Sequence, residues 1–441
     1  MNKKRNKKNK KPVQASVRLS QCMIVKNEEK NIEKALSWAK GIAFEQIVVD
    51  TGSTDRTVEI AEKMGARVLH FEWINDFSAA KNYAIEQASG NWIAFLDADE
   101  YFSPEDAKEL MVILKEIRKA PEFHERIFML KTPWVQVDDD GNPTTILKQE
   151  RIFRNIPEIR YEGRIHEQPT IPSYKNIFST DRLFIIHTGY SKSATEATGK
   201  AERNISLLRR ELIDRPDDLN LKAYLADSLS SLDGAENWAA AEALYREVVA
   251  GSGVSKFLKL EAYKRLIRAG IKTEGQLADA EDLSLMALKE FPDDIDITYL
   301  LCTVLNFKGE YSLAWSRLLD CEQRLINAES VGDAPMLMAQ PNLLYIQLVM
   351  AAQALGDVQN IVKYSIMLLS ADKAQIDVLS QCIWALVSDK ANDDEILGLL
   401  SEIYDLTNPL DMQFIAGAAD YCGARDFAKN VMALAEGAES S

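Results

Sequence analysis

The sequence predicts an α/β domain built on a mostly parallel, doubly wound sheet, followed by an all-α domain of helical repeats. Up to about residue 200, short apolar runs alternate with segments of helical periodicity, as expected for parallel strands joined by crossover helices. From about residue 201, nearly every segment has helical periodicity, and the breaks between segments recur at similar intervals. Such recurrence is typical of stacked helix pairs.

The composition restricts the class of protein. The 441 residues, 46% of them hydrophobic and 27% charged, are typical of a soluble globular protein of two or three domains. No apolar run approaches the roughly 18 to 20 residues that span a bilayer, and none follows the basic N-terminus as in a signal peptide. Five scattered cysteines without metal-ligand spacing predict free thiols in a reducing cytoplasm. The net charge of -15 argues against general nucleic-acid binding.

Three segments are predicted: a disordered basic arm over residues 1–16, an α/β domain over 17–200 and a helical-repeat domain over 201–441. The arm is nearly all Lys, Arg and Asn up to Pro12, so it cannot bury apolar area. It is interpreted either as a solubilising tail or as a peripheral contact with an anionic membrane surface.

The strands of the α/β domain are predicted at residues 19–25, 46–49, 67–71 and 92–96, with helices between them. Asn27 is predicted to cap the first helix, and Ser103, followed by Pro104, to cap the helix after the last of these strands. From 125 to 187, short β-rich runs lie among Pro, Gly and Asp loops. These are expected to add strands and loops that shape a binding site.

The carboxyl ends of three predicted strands carry polar and acidic residues. They are Lys26, Asn27 and Glu28 after the first strand, Asp50 and Ser53 after the second, and Asp97 and Asp99 after the strand at 92–96. Ligands of open α/β sheets bind at this edge, where a nucleotide would lie. Because acidic groups around a nucleotide require a cation, Mg2+ or Mn2+ on Asp99 is expected. No Gly-x-Gly-x-x-Gly motif and no Walker loop is present, which argues against dehydrogenases and P-loop enzymes.

Three blocks of this half resemble the family 2 glycosyltransferases of the GT-A fold, in order and in spacing. They are Met23-Ile24-Val25-Lys26-Asn27-Glu28, Val48-Val49-Asp50-Thr51-Gly52-Ser53-Thr54-Asp55 and Phe95-Leu96-Asp97-Ala98-Asp99-Glu100. Three more resemble a subgroup that includes lipopolysaccharide-core transferases and glycocin S-glycosyltransferases. They are Trp73-Ile74-Asn75-Asp76-Phe77-Ser78-Ala79-Ala80-Lys81-Asn82, Gly163-Arg164-Ile165-His166-Glu167-Gln168-Pro169 and His187-Thr188-Gly189-Tyr190. The resemblance covers residues 18–200, and beyond them only the architecture, since the glycocin enzymes also carry helical repeats.

The resemblance implies a Rossmann-like GT-A domain and a set of binding residues. The nucleotide would be bound by Asn27, Glu28, Asp50, Ser53, Lys81 and Asp97. Asp50 would hydrogen-bond the base, expected to be uracil, and Asp97 would lie against the ribose. Asp99 would be the direct ligand of the metal, with Asp97 beside it and His187, or else His166, as a third ligand. Lys81 departs from the subgroup, which usually has Arg there, so the planar fork for phosphate is lost while the charge is kept.

The chemistry implied is an inverting transfer, in which the acceptor attacks from the face opposite the leaving nucleoside diphosphate. Such an attack needs a general base beside the acceptor. Glu167 is the first candidate. His166 is the alternative, either as the base or as the group that orients Glu167, and a third interpretation makes it a structural histidine bonded to a backbone carbonyl.

The helical half is interpreted as tetratricopeptide-like repeats. Pro216 and Pro292, which begin two of its breaks, are separated by about two repeats of roughly 34 residues. Solenoids of this kind usually bind peptides or proteins. The alternative is a helical cap that stabilises the enzyme or makes it a homodimer, with residues 411–435 as a candidate interface.

The function predicted from the sequence is that of a cytoplasmic, metal-dependent, inverting glycosyltransferase. It would move a sugar from a nucleotide-sugar donor, UDP-hexose or UDP-HexNAc, to a peptide or protein acceptor. One alternative is a saccharide acceptor in cell-envelope or lipopolysaccharide-core assembly. The other is a non-catalytic scaffold with a degenerate transferase domain, against which the presence of Asp50, Asp97, Asp99, His166 and Glu167 argues.

Overall fold

A computed structural model describes residues 16–120, 123, 125–188, 199–273, 275–328 and 334–439. The chain divides into two compact units, Met1–Leu244 and Tyr245–Ser441. The predicted basic arm lies outside the described residues except for its last position, and so do Gly189 and Tyr190. The predicted domain boundary at residue 200 stays a prediction, and the first helices of the helical half fall within the first unit.

None of the helices in the described ranges combines the length and the apolar character that crossing a membrane requires.

The first unit is built on one large sheet and a small two-stranded one. The strands are β1 Leu19–Val25, β2 Glu45–Asp50, β3 Arg67–His70, β4 Trp92–Phe95, β5 Glu100–Tyr101, β6 Met129–Val137, β7 Pro143–Arg154, β8 Tyr161–Glu162, β9 Gln168–Pro169, β10 Ile177–Ser179 and β11 Ile185–His187. Within the described residues, nine strands form the large sheet in the order β3-β2-β1-β4-β7-β6-β11-β5, with β10 paired to β6. The pair β8–β9 forms the small sheet.

The large sheet is parallel where the sequence predicts a doubly wound fold and mixed beyond it. Strands β3, β2, β1 and β4 are all parallel. Strand β7 is antiparallel to both β4 and β6, and β5 is antiparallel to β11. The segment from 125 to 187 therefore adds strands to the α/β core, as predicted, and these additional strands bring distant residues to its edge.

Helices cover both faces of the parallel part. They are α1 Ile32–Ser37, α2 Thr57–Lys63, α3 Phe77–Glu86 and α4 Pro104–Lys119. Strand β4 is buried throughout, and its alternate side chains join different cores. Trp92 and Ala94 pack in the cluster that contains α4, while Ile93 and Phe95 pack in the cluster that contains α3. An unbroken apolar run is what a strand covered on both faces requires.

The predicted capping role of Asn27 is wrong. Helix α1 begins at Ile32, after Asn31, and Asn27 lies in the turn that precedes it with a φ of 57°. Asparagine tolerates this left-handed conformation better than most residues. Its side-chain Oδ1 accepts a hydrogen bond from the backbone N–H of Thr54 at 2.8 Å. Asn27 therefore ties the loop after β1 to the loop after β2 instead of starting a helix.

The rest of the described chain is helical. Its helices are α5 Lys200–Asp214, α6 Leu219–Ser230, α7 Ala235–Ala250, α8 Lys256–Lys272, α9 Leu277–Glu290, α10 Ile295–Phe307, α11 Tyr311–Ile326, α12 Pro335–Ala339, α13 Asn342–Leu355, α14 Val358–Ala371, α15 Ile376–Ser388, α16 Asp393–Leu400, α17 Pro409–Tyr421 and α18 Arg425–Glu439. Two of the predicted breaks share one mechanism. Pro216 and Pro292 each lie two residues before an aspartate, Asp218 or Asp294, whose side chain caps the next helix. The recurring hairpins agree with tetratricopeptide-like repeats.

Candidate active site

A cleft of about 510 Å3 opens in the first unit at the carboxyl ends of β1 and β4. Its lining includes seven residues that the sequence singles out: Glu28, Lys81, Asp97, Asp99, His166, Glu167 and His187. The structure thus brings both candidate proton acceptors and the candidate metal ligands to one place. The other three candidates, Asn27, Asp50 and Ser53, form a network at the ends of β1 and β2.

That network is organised by the buried carboxylate of Asp50, which is 5% exposed. Its oxygens accept hydrogen bonds from the backbone N–H groups of Gly52 at 3.2 Å and Ser53 at 3.0 Å. The hydroxyl of Ser53 in turn accepts a hydrogen bond from the backbone N–H of Asn27 at 3.0 Å. The two loops are therefore fixed to each other at the edge where a nucleotide base is predicted to bind.

Asp97, at the end of β4, lies between two cations. The Nζ of Lys81 is 3.2 Å from Oδ1, and the guanidinium of Arg151 is 2.8 Å from Oδ2. Burial by itself would raise the pKa of Asp97, but Arg151 and Lys81 outweigh it and hold that pKa below its ordinary value. Lys81 is only 2% exposed, and although burial opposes its charge, Asp97 and Glu167 raise its pKa. Lys81 therefore remains a cation at neutral pH.

Glu100 and Arg151 complete this cluster, and the sequence does not predict their contacts with each other and with Asp97. Glu100 is 1% exposed, and burial raises its pKa. Its carboxylate accepts hydrogen bonds from Arg151 and from the Trp134 indole N–H, at 2.8 and 2.7 Å, and from the backbone N–H of Asp97 at 2.9 Å. Glu100 directly follows the Asp97-Ala98-Asp99 motif in the sequence, and that position indicates that it lies near the site. Arg151 comes from β7, so only the long-range pairing of β7 with β4 reveals its partners.

Arg151→Met is expected to destabilise the first unit by about 3 kcal/mol, because it leaves the Glu100 carboxylate without its cation. The deficit should shrink on acidification. The raised pKa of Glu100 means that stability is regained as pH falls through that pKa, since protonation then removes the unpaired charge. Urea unfolding at several pH values measures both effects.

The control for this variant is Arg56→Met, which removes an exposed pair with Glu59 at the start of α2. Exposed pairs contribute about 0–1 kcal/mol. Equal losses in the two variants, or a deficit independent of pH, would contradict the role assigned to Arg151.

Asp99 and His187 form the part of the cleft that suits a divalent cation. The Nε2 of His187 lies 3.3 Å from Oδ2 of Asp99. Strand β11 places it there by pairing with β5, and the backbone N–H of Thr188 donates to the carbonyl of Asp99 at 3.1 Å. Searched over the described ranges, the chain has no group of three or more His, Cys, Asp or Glu side chains placed to hold a metal.

The donor types of this pair fit Mg2+ or Mn2+, which take carboxylate oxygen and, for Mn2+, imidazole nitrogen, and leave other positions to water and phosphate. Asp97, also a predicted ligand, has one cation against each of its oxygens. To bind a metal directly, it would have to use a second lone pair of an oxygen that already binds Lys81 or Arg151.

The two candidate proton acceptors lie on the turn between β8 and β9. Oε1 of Glu167 is 2.7 Å from the Nζ of Lys81, which also binds Asp97. The ring of His166 stacks on that of Tyr224 in α6, with centroids 3.7 Å apart and planes at 7°. Protein packed around the ring lowers the pKa of His166 to about 4, with Glu167 opposing the shift, although the residue is exposed by surface area. His166 is therefore neutral at physiological pH, and no hydrogen bond from its ring to a backbone carbonyl is found in the described ranges.

Residues 20–152 match the sequence profile of Glycosyl transferase family 2. This part of the chain is therefore a family 2 glycosyltransferase domain, as the sequence blocks and the GT-A-like sheet indicate. Among relatives, the chain is 35% identical over 227 residues to a TPR repeat-containing protein of Synechococcus elongatus, covering 49% of this chain and 53% of that protein. It is 30% identical over 214 residues to the SPbeta prophage-derived glycosyltransferase SunS of Bacillus subtilis, covering 48% and 49%. The chain thus spans about half the length of these curated relatives.

Solved structures show more distant likeness. A crystal structure of an S. aureus TarS fragment aligns with 67% of this chain and 92% of its own, at 14% identity and a TM-score of 0.31. The glucosyl-3-phosphoglycerate synthase of Mycobacterium tuberculosis, in complex with Mn2+ and UDP-glucose, aligns with 27% of this chain and 44% of its own, at 22% identity and a TM-score of 0.23.

Proposed function

We propose that this protein is an inverting glycosyltransferase that moves a sugar from a UDP-linked donor to a peptide or protein acceptor. The observation that carries the proposal is the convergence in one cleft of the Asp97–Asp99 strand end, His187 and the turn with His166 and Glu167. The family 2 domain supports a nucleotide-sugar donor.

On the donor side, the loops after β1 and β2 would receive the nucleotide. Their mutual hydrogen bonds fix Asn27, Asp50 and Ser53 before any ligand binds. Glu28 borders the same cleft, where burial raises its pKa. Preorganised backbone and side-chain groups bind a ligand with less loss of conformational entropy.

Asp99 and His187 would hold the divalent cation, with Asp97 adjacent. A cation bound there would neutralise the negative charge that develops on the leaving diphosphate. The chain's own contribution is to keep Asp97 ionised between Lys81 and Arg151. Lys81 was expected to contact phosphate. It would do so with an ammonium group that already pairs with two carboxylates, Asp97 and Glu167.

On the acceptor side, Glu167 would take the proton of the attacking group. Lys81 holds its Oε1 at 2.7 Å, and Oε2 would be the oxygen that receives the proton. The side chain of Glu167 is 13% exposed, which places it in a partly desolvated part of the cleft. His166, neutral and stacked beside it, would border the acceptor as an orienting group or as the alternative base.

A peptide or protein acceptor is supported by the helical hairpins of the second unit and by the similarity to SunS and to a TPR repeat-containing protein. A reducing cytoplasm is proposed as the compartment, because Cys22, Cys302, Cys321 and Cys382 are buried free thiols and Cys422 is also free.

A donor screen by mass spectrometry tests the function. The full chain is incubated with UDP-glucose, UDP-GlcNAc, UDP-galactose and GDP-mannose, with Mn2+ or EDTA, and with peptides encoded beside its gene. A hexose or HexNAc mass shift on a peptide, abolished by EDTA and in Asp99→Ala, is the expected result. UDP release without peptide modification would move the acceptor to saccharides. No turnover and no nucleotide binding would favour a non-catalytic scaffold.

A further inference from the structure

The turn that carries both candidate proton acceptors is held from helices that lie beyond the matched family domain. We propose that Glu211 of α5 and Tyr224 of α6 are positioning residues for this turn, defined here as the acceptor turn, residues 163–167. In this proposal the first helical hairpin is part of the catalytic centre. The inference rests on the proposed function, since it concerns how His166 and Glu167 are placed for proton transfer.

Glu211 is the anchor on α5. It is 6% exposed, and its Oε2 accepts a hydrogen bond from the Arg164 guanidinium at 2.8 Å. Its Oε1 accepts one from Arg215 at 2.7 Å. Arg164 also contacts Asp214 at 2.6 Å. Hydrogen bonds between charged groups are stronger than neutral ones, so this cluster fixes the acceptor turn two residues before His166.

Tyr224 is the anchor on α6. Its ring lies 3.7 Å from that of His166 and nearly parallel to it, which fixes the plane of the imidazole. On the opposite side, α3 holds the same turn. The backbone N–H of Phe77 donates to the carbonyl of Arg164 at 2.9 Å, and the Ser78 hydroxyl donates to the carbonyl of Gly163 at 2.6 Å.

The backbone of the acceptor turn explains why such anchors are needed. Gly163 has a φ of 95° and His166 a φ of 51°. A left-handed conformation is costly for a residue other than glycine, and it persists when surrounding contacts impose it. Proton transfer tolerates little displacement, and a misplacement of about 1 Å can cost about 100-fold in rate. Loosening either anchor should therefore displace the proton acceptors.

The donor side is held differently. Asp50 and His187 lie on strands of the large sheet and Asp99 directly precedes one, and their positions follow from strand pairing. Changes in Glu211 or Tyr224 should consequently lower kcat without weakening donor binding. A merely structural role would instead lower the folded fraction and leave the kcat of folded protein unchanged.

The test compares Tyr224→Leu and Glu211→Gln with the conservative Tyr224→Phe and with Asp217→Asn, an exposed change in the α5–α6 connection. We expect kcat for transfer to the acceptor found in the donor screen to fall about 10- to 100-fold in the first two variants. UDP affinity and donor KM should stay unchanged. Tyr224→Phe, which keeps the stacking ring, and Asp217→Asn should retain wild-type kcat.

Two further measurements separate positioning from instability. Arg164→Gln breaks the Glu211 contact from the other side, and the loss of kcat on combining it with Glu211→Gln should be smaller than the two single losses taken together, because the two variants share that contact. Among the four histidines of the chain, the NMR signal of His166, assigned with His166→Gln, should move downfield in Tyr224→Leu and stay in place in Tyr224→Phe, because the ring current of the stacked ring is lost only in the former.

Wild-type kcat in folded Tyr224→Leu and Glu211→Gln would overturn the positioning role and leave the proposed function intact. So would a loss of kcat with an unmoved His166 signal in Tyr224→Leu. Absence of UDP release by the wild-type chain would overturn the proposed function itself, and this inference with it.

Discussion

Asp99→Asn is expected to lower kcat for sugar transfer by about 1000-fold. Asparagine keeps the shape of the side chain and removes its charge. Within the described residues, the Asp99 carboxylate pairs with no lysine or arginine and has His187 as its ion-pair partner, in contrast to Asp97. Its negative charge is therefore available to a divalent cation, and that availability is what the substitution removes.

Turnover alone would not identify the cause, so Mn2+ binding in the presence of UDP should be measured by electron paramagnetic resonance as well. In Asp99→Asn, turnover should fall and the binding of Mn2+ should be lost. The matched control is Asp140→Asn in the exposed turn between β6 and β7, which should change neither turnover nor Mn2+ binding. Wild-type Mn2+ affinity in Asp99→Asn would show that this carboxylate does not hold the cation.

Glu167→Gln is expected to lower kcat by about 100- to 10,000-fold, the range typical of losing a general base. The amide cannot accept the proton that the attacking group must give up. Donor binding should persist, because Lys81 keeps its second partner, Asp97, and the residues predicted to hold the nucleotide and the cation are unchanged. The variant thus separates donor binding from proton transfer. Truncation of Lys81 would not, because Lys81 contacts both Asp97 and Glu167.

The measurement is a comparison of kcat, donor KM and UDP affinity in Glu167→Gln and His166→Gln. A larger loss of kcat in Glu167→Gln assigns the base to Glu167 and an orienting role to His166. The reverse order would exchange the two roles. Weakened donor binding with unchanged turnover per bound substrate would remove Glu167 from the acceptor side altogether.

Features encoded locally could be predicted from the sequence. The unbroken apolar run before Asp97 predicts β4, because burial on both faces leaves no polar alternation. The Pro-Asp-Asp breaks predict helix starts, since the capping aspartate lies two residues after the proline. Asn27 shows the limit. The same side chain suits a helix cap and a left-handed turn, and only the neighbouring loop, 27 residues away, decides between them.

Long-range pairing limited the prediction of the site. Arg151 reaches Asp97 only because β7 pairs antiparallel with β4, a register that no local pattern encodes. The stacking of Tyr224 on His166 depends on the path of α5 and α6. Which residues carry opposite charges was readable from the sequence, whereas which of them touch was not.

The charges in this cleft limit how its residues can change over evolution. Glu167, Lys81, Asp97, Arg151 and Glu100 form a row in which the sign of the charge alternates from one residue to the next. Deleting either cation leaves the carboxylate at that end of the row, Glu167 beside Lys81 or Glu100 beside Arg151, without a cation, so loss of either positive charge should be filtered out. Exchanges that preserve charge, such as lysine for arginine at position 81, remain open, and larger changes require two positions to vary together.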